Sequence, residues 1–367
     1  MDQTLRHHVS PVLYEDYVKD ARDYVQLAVA KNGPLPPASE RPVSYVWGDA
    51  INILAEARPH VRVINLETAV TAGGSAWPNK GIHYRMHPGN VQVLQAANID
   101  CAVLANNHVL DWSYEGLRDT LRSLKAAGIQ TTGAGANLNE ARTPASFPLP
   151  TGSNRNGGRL LVFGLGFSSS GVPSVWRASE NKAGVNQADA ATTGSNLHQL
   201  KAWISEHKKP GDIALLSMHE GSNWGWTISA SLRSWAHKAI DEAGVDLIHG
   251  HSSHHIRGAE IYNGKLILYG CGDFLSDYEG IDGGISELGD FRDDLSFMYF
   301  ADLNATDGSL ARLYLVPMKL KNMRVKRAQS GEVEWLWRNM KRECEKLGTS
   351  RLERQEGYFF QLKKAAN

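Results

Sequence analysis

The sequence predicts an α/β fold, a parallel or mixed sheet with helical cover, and three observations predict it. From Val61 to Thr132, short β-branched or apolar runs alternate with helical patterns across short connections, as in sheets whose strands are joined by crossover helices. Several of these runs stop at residues able to hold a ligand: Glu67, Asn107, His108, His219 and His251 each follow a strand end. Past Leu295 the apolar runs Leu295 to Leu303 and Arg312 to Lys319 follow one another without a helix, which reads as antiparallel pairing.

Composition sets the frame. A chain of 367 residues accommodates one large α/β domain or two ordinary ones. Here residues 1–328 read as the main domain and 329–367 as a helix-and-strand extension packed on it. Apolar residues make up 42% and charged residues 21%, the balance of a soluble globular protein. The formal net charge is zero, so no long-range field points to nucleic acid or an anionic membrane, and substrate charge must be met locally. Cys101, Cys271 and Cys344 are too scattered for a disulfide framework or a paired-cysteine zinc site. The opening residues hold no apolar run of the signal-peptide kind, and no later stretch has the length of a membrane span. The expectation is a cytoplasmic protein.

The elements follow in order. Val18, Ala21, Val25 and Ala28 fall at helical spacing, predicting a helix within Pro11 to Lys31 that Asn32-Gly33-Pro34 stops. A short helix from Asp49 to Arg58 delivers the chain into the strand Val61 to Asn65, and a long polar loop, Thr71 to His87, follows. Gly89 to Asn98 reads as a helix, Asp100 to Leu104 as a buried strand, Ser113 to Ala127 as a helix closed by Gly128, and Ile129 to Thr132 as a strand. Arg159 to Gly166 is the next strand, and Leu197, Leu200 and Ile204 set a helix face after a Gly/Ser-rich excursion. Ile213 to Met218 is a strand, Ala230 to Ala243 a helix, and Val245 to His249 a strand. Gly250 after it is expected to let the backbone turn tightly. Ala259 to Tyr262 and Leu266 to Tyr269 form a hairpin across Asn263-Gly264. Val333 to Leu347 reads as a helix and Tyr358 to Leu362 as a last strand.

Chemistry concentrates where strands stop. Neutral imidazole is the commonest metal ligand, and the run His249-Gly250-His251-Ser252-Ser253-His254-His255 ends one strand in a burst of imidazoles. Ile64-Asn65-Leu66-Glu67, Leu104-Ala105-Asn106-Asn107-His108 and Ser217-Met218-His219 end three others. Ligands bind in the crevice beyond the carboxyl ends of strands in open α/β sheets, so the expectation is that these ends converge.

These residues resemble a known family. Asn65-Leu66-Glu67, Leu104 to Asp111, the His219 segment, Gly250 to His254 and Leu268-Tyr269-Gly270-Cys271-Gly272-Asp273-Phe274 stand in the order seen in the poly-gamma-glutamate capsule biosynthesis family, CapA or PGA_cap. The resemblance implies the metallophosphoesterase (calcineurin-like) fold, a four-layer α/β/β/α sandwich with two mixed sheets. It further implies a divalent metal ion, Mn, Zn or Fe, and a metal-dependent hydrolase in which hydroxide generated on the metal attacks a phosphoester or a glutamate-type amide. Glu67 then bridges two metals; Asn107, His219 and His251 join it on the second, and His254 serves the first. His108 is implied as general acid, with Asp111 orienting it. The alternative is a non-catalytic accessory or binding subunit for poly-gamma-glutamate synthesis, with capsule-synthesis proteins as partners.

Two departures matter. The family's first strand, which ends in a Gly-Asp ligand, is not found, and Gly48-Asp49 opens a helix without a preceding β run. The sheet is therefore expected to lack that strand, with open edges on its neighbours, and one metal is expected to bind well and a second poorly. Glu220 stands beside His219 where the family has tryptophan, and is expected to face solvent. Candidates for a phosphate- or carboxylate-bearing small molecule or polymer are Arg85, Trp224, Arg257 and Asp273, with Arg292 as a further cation.

Overall fold

In the computed structural model, residues 2–15, 18–150, 158–189, 194–281, 291–356 and 359–365 are described. A three-stranded parallel sheet runs in the order β1 (Val63–Asn65), β4 (Cys101–Val103), β5 (Gln130–Thr132). A seven-stranded mixed sheet carries β10 (Gln187–Ala188), β8 (Arg159–Phe167), β11 (Ile213–His219), β12 (Leu247–His251), β14 (Lys265–Leu268) and β13 (Ala259–Tyr262), with β7 (Ala145–Pro148) on β8. A five-stranded antiparallel sheet orders β15 (Leu295–Leu303), β16 (Leu310–Leu320), β19 (Phe359–Lys364) and β18 (Ser350–Gln355), with β17 (Val325–Arg327) on β16. Two ribbons complete the set, β2 (Ala69–Val70) with β3 (Arg85–Met86) and β6 (Ala134–Gly135) with β9 (Gly184–Val185).

Period-2 alternation sorts the seven-stranded sheet into two faces. Leu161, Phe163, Leu165 and Phe167 of β8 join Ala214, Leu216 and Met218 of β11 against helices α6 (Gly194–His207) and α7 (Ala230–Asp241). The other face, with Leu215, Leu247, Leu266 and Leu268, packs with Phe297, Leu315 and Phe360 of the five-stranded sheet. Helix α2 (Ala50–Ala57) covers the far side of that sheet, packing Ala50 and Ile53 on Met298, Val316 and Met318. The layers are thus helix, sheet, sheet, helix. Helix α8 (Ser330–Leu347) feeds Val333, Leu336, Met340 and Cys344 into the inter-sheet core. Among the described residues no helix is long and apolar enough to cross a membrane.

Helices α3 (Gln92–Ala96), α4 (Ser113–Ala126) and α5 (Leu138–Arg142) cover the parallel strands. Helix α1 (Ala21–Asn32) begins three residues after Val18, the first residue of its pattern, because the Asp20 carboxylate accepts from Arg22 N and caps it there, while Val12 bridges to Asp20. Strand β18 was not foreseen, and Tyr358, the expected start of the last strand, lies outside the described residues. Gly250 does not turn the chain. It lies inside β12, where a Cβ would stand 2.6 Å from Leu268 O, and the turn falls at Ser252, whose φ is 109°.

One feature of the sheets bears on the site. Among the described residues β1 pairs with β4 alone and β15 with β16 alone, and both strands line one cavity of about 630 Å³. Leu215, Leu247 and Leu268 floor it, and Glu67, His254 and Asp273 also line it.

Candidate functional site

The carboxyl ends of β1 and β4 are tied by an asparagine that sequence reasoning passed over. Asn106 is fully buried, and its Nδ2 donates to Leu66 O at 2.9 Å and to Asn65 Oδ1 at 3.0 Å. Asn65 Nδ2 in turn donates to Glu67 Oε2 at 2.8 Å, so Glu67 is aimed by a chain of amides. Burial works against charge on Glu67, but the imidazoles of His219, His108 and His254 hold its carboxyl below the ordinary range.

Parallel register places the next residues. β11 and β12 align Ser217 with His249 and His219 with His251, and alternation puts all four on the inter-sheet face. His219 Nε2 lies 3.1 Å from Asn107 Oδ1 and 3.8 Å from Glu67 Oε1, while its Nδ1 meets His251 Nδ1 at 2.8 Å. Burial pushes His219 down to about 4, and His251 well below its ordinary value, so both rings are neutral at neutral pH.

A second group forms around His108. Its Nδ1 lies 2.6 Å from Asp111 Oδ2, and the other Asp111 oxygen pairs with Lys80 Nζ at 2.7 Å. Tyr84 N also donates to Asp111 Oδ2, at 2.7 Å, and the Tyr84 ring stacks on His108 with centroids 3.8 Å apart. Tyr84 OH meets Tyr278 OH across the cavity wall. Asp111 is fully buried with Lys80 Nζ against its second oxygen; burial lowers the Lys80 pKa and Asp111 opposes that shift.

His254 faces elsewhere. Its Nδ1 lies 2.9 Å from Asp273 Oδ2, and although burial alone would lower its pKa, Asp273 and then Glu67 hold it up at about 9. Trp224 stands 5.8 Å from the His254 ring. Arg85 lies 3.6 Å over Trp112 and donates to Ser10 O. Arg257 is buried, donating to Thr227 O, and Arg292 pairs with Asp294. Glu220 is partly buried and accepts from Ser169 Oγ at 3.2 Å. Asp49 lies at the start of α2, where its carboxylate accepts from Arg327 N.

Whether these residues suit a cation turns on what His219 Nε2 faces. Glu67 Oε1 and Asn107 Oδ1 are both acceptors, and a bare ring nitrogen makes a third, an arrangement that a cation at their centre would satisfy. Among the described residues no three carboxylate, imidazole or thiolate groups already stand around one point, so the cluster would close on a cation rather than receive it ready-made. Oxygen and imidazole donors of this kind suit Mn, Zn or Fe. Lys80, Tyr84, Asn106 and Ser217 are the members that sequence reasoning missed; only Asn106, next to Asn107 at a strand end, carried a local signal.

The family model for the bacterial capsule synthesis protein PGA_cap matches residues 6–278. A probable polyglutamine synthesis accessory protein of Mycobacterium tuberculosis is 42% identical over 349 residues, covering 95% of this chain and 88% of the relative. The PGA biosynthesis protein CapA of Bacillus subtilis is 30% identical over 199 residues, covering 54% of this chain and 48% of that protein. The capsule biosynthesis protein CapA of Bacillus anthracis is 27% identical over 203 residues, covering 54% and 45%.

Proposed function

Because this chain belongs to the PGA_cap family of bacterial capsule synthesis proteins, with its metallophosphoesterase-like fold, we propose that it is a metal-dependent hydrolase acting on a phosphoester or a glutamate-type amide. The observation that carries this reading is the pairing of an acceptor cluster, Glu67, Asn107 and His219, with a separately oriented histidine, His108. When bound, a divalent cation supplies Lewis acidity and lowers the pKa of water. Glu67, Asn107 and His219 would hold it, with His251 behind His219. His108 Nδ1–H donates to Asp111 Oδ2, so the ring must carry a second proton, on Nε2, for that atom to pass a proton to the leaving group. Tyr84, stacked on the ring, fixes its plane and keeps water from one face.

A second reading is an accessory or binding role in polymer synthesis, favoured by two observations: the Mycobacterium relative is described as an accessory protein, and His254 is held by Asp273. Hydrolysis of a generic phosphodiester or phosphomonoester with added manganese separates the two. The hydrolase reading expects His108→Ala to lose about 10²- to 10⁴-fold in rate, the usual worth of a positioned proton donor. Equal rates for wild type, His108→Ala and His219→Ala would leave the accessory role.

A further inference from the structure

The polar loop between β2 and β3 is built around one aspartate. Trp77 N donates to Asp111 O at 2.8 Å, Tyr84 N donates to Asp111 Oδ2 at 2.7 Å, and Lys80 Nζ faces Asp111 Oδ1 at 2.7 Å. Between the two backbone anchors Pro78, Asn79, Gly81 and Ile82 are exposed, whereas the Lys80 side chain reaches inward and is only 16% exposed. Its Nζ also lies 3.2 Å from Ile82 O and 3.0 Å from His108 Nδ1. An ammonium has donors and no acceptor, so it offers nothing to the His108 N–H that points at Asp111. The two donors can stand this close because Asp111 turns one oxygen to each. Among the described residues Asp111 Oδ1 has no other hydrogen-bond partner. Without Lys80 that oxygen would be buried and unpaired, and the carboxylate would gain by turning out of the position that serves His108 and Tyr84.

We propose that Lys80 is a positioning residue: by holding Asp111 Oδ1 it keeps Oδ2 on His108 Nδ1 and Tyr84 N at once, so that one ion pair sets both the histidine and the loop that covers it. The effect on turnover rests on the hydrolase reading given above; the hold on the loop does not. His108 Nδ1 and Tyr84 N share Oδ2 at 2.6 and 2.7 Å, and the Tyr84 ring lies on His108 with centroids 3.8 Å apart. A rotation of Asp111 therefore disturbs the ring and its cover together. Lysine suits the place because its long apolar stem crosses from an exposed loop to a buried oxygen while its head carries the compensating charge. The Trp176 ring, 5.7 Å from Nζ, adds a second hold on the ammonium. Lys80 could instead grip a substrate phosphate or carboxylate, but its donors are directed at Asp111 Oδ1 and Ile82 O.

The test uses the full chain as Lys80→Met, which keeps the stem and removes the charge, and as Lys80→Arg, which keeps the charge. The first readout is hydrogen exchange of the Tyr84 amide without added metal. The second is kcat and KM with manganese on p-nitrophenyl phosphate and on γ-glutamyl p-nitroanilide. Lys80→Met should speed Tyr84 exchange roughly 10- to 100-fold, the worth of a bond to a charged partner. It should lower kcat about 10²-fold, the cost of a small misplacement at the reacting groups, with KM little changed. Lys80→Arg should recover most of both. Unchanged Tyr84 exchange in Lys80→Met would overturn the positioning role. So would a raised KM at unchanged kcat, which would make Lys80 a substrate contact, or an arginine variant as impaired as the methionine one. A wild-type chain that turns over neither compound would overturn the hydrolase reading instead, and Tyr84 exchange would still decide whether Lys80 holds the loop.

Discussion

The two histidine groups that end β12 differ in what they face. His251, within the strand, meets His219 and Ser217, neutral groups on the inter-sheet face, and burial keeps it uncharged. His254, three residues on in the loop, meets the Asp273 carboxylate, which holds it protonated up to about 9. One residue type, with burial acting on both in the same direction, ends in opposite charge states, because Asp273 at 2.9 Å, with Glu67 beyond it, outweighs desolvation at His254. A protonated imidazole has no lone pair to give. On the proposed cation reading, His219 therefore stands ready to give a lone pair, whereas His254 must first lose its proton.

The largest effect expected from this contrast is in metal affinity. His219→Ala removes a proposed direct ligand and should weaken binding of manganese or zinc by more than about 100-fold, since losing an outer partner alone costs about 10- to 100-fold. His254→Ala should change it less than about threefold. Titration calorimetry on both variants checks this, and equal losses would break the comparison. Two tightly held ions in dialysed wild-type protein would break it as well.

A smaller effect concerns pH. The folded-state pKa of His254 is raised above the ordinary 6.5, so its pairing stabilises the fold fully below that value and is lost as pH rises through about 9. The difference should be on the order of 2 kcal/mol between neutral and strongly alkaline pH, read from urea unfolding. In Asp273→Asn the alkaline loss should shrink to near zero. An unchanged alkaline loss in that variant would place the titrating group elsewhere.

How much of this could be read without coordinates follows from where each signal lives. The strand ends at Glu67, Asn107, His219 and His251 are legible because apolar runs stop there and a ligand-type residue follows. The inter-sheet face of β11 and β12 is legible in principle too, since alternation places Ser217 and His249 beside their histidine neighbours. Ser217 drew no notice because a serine in an apolar strand reads as a tolerated small residue. Lys80 reaches Asp111 from a polar loop, and nothing local marks it. Strand β18, Ser350–Gln355, is charged along its outward face, so its one fully inward apolar residue, Leu352, was too weak a pattern. Gly250 was seen as special for the wrong reason: its missing Cβ admits a neighbouring backbone instead of a turn.

The smallest effect tests how Glu67 is aimed, and so whether the β1 side is as well prepared as the β11–β12 side. Asn65 Nδ2 donates to Glu67 Oε2, and Asn106 holds Asn65 from behind. Removing one hydrogen bond in a partly open position costs about 0.5–1.5 kcal/mol, or roughly two- to tenfold in an equilibrium. Asn65→Ala should therefore weaken metal binding by about that factor while leaving His219 and His251 undisturbed. A loss as large as that of His219→Ala would mean that β1, an edge strand on an open cavity, depends on Asn65 to keep Glu67 in place at all. The contrast between the two sides would then lie in backbone support as well as in charge. Metal titration of Asn65→Ala beside Asn106→Ala distinguishes the cases, because Asn106 also holds Leu66 O and its loss disturbs the strand end itself.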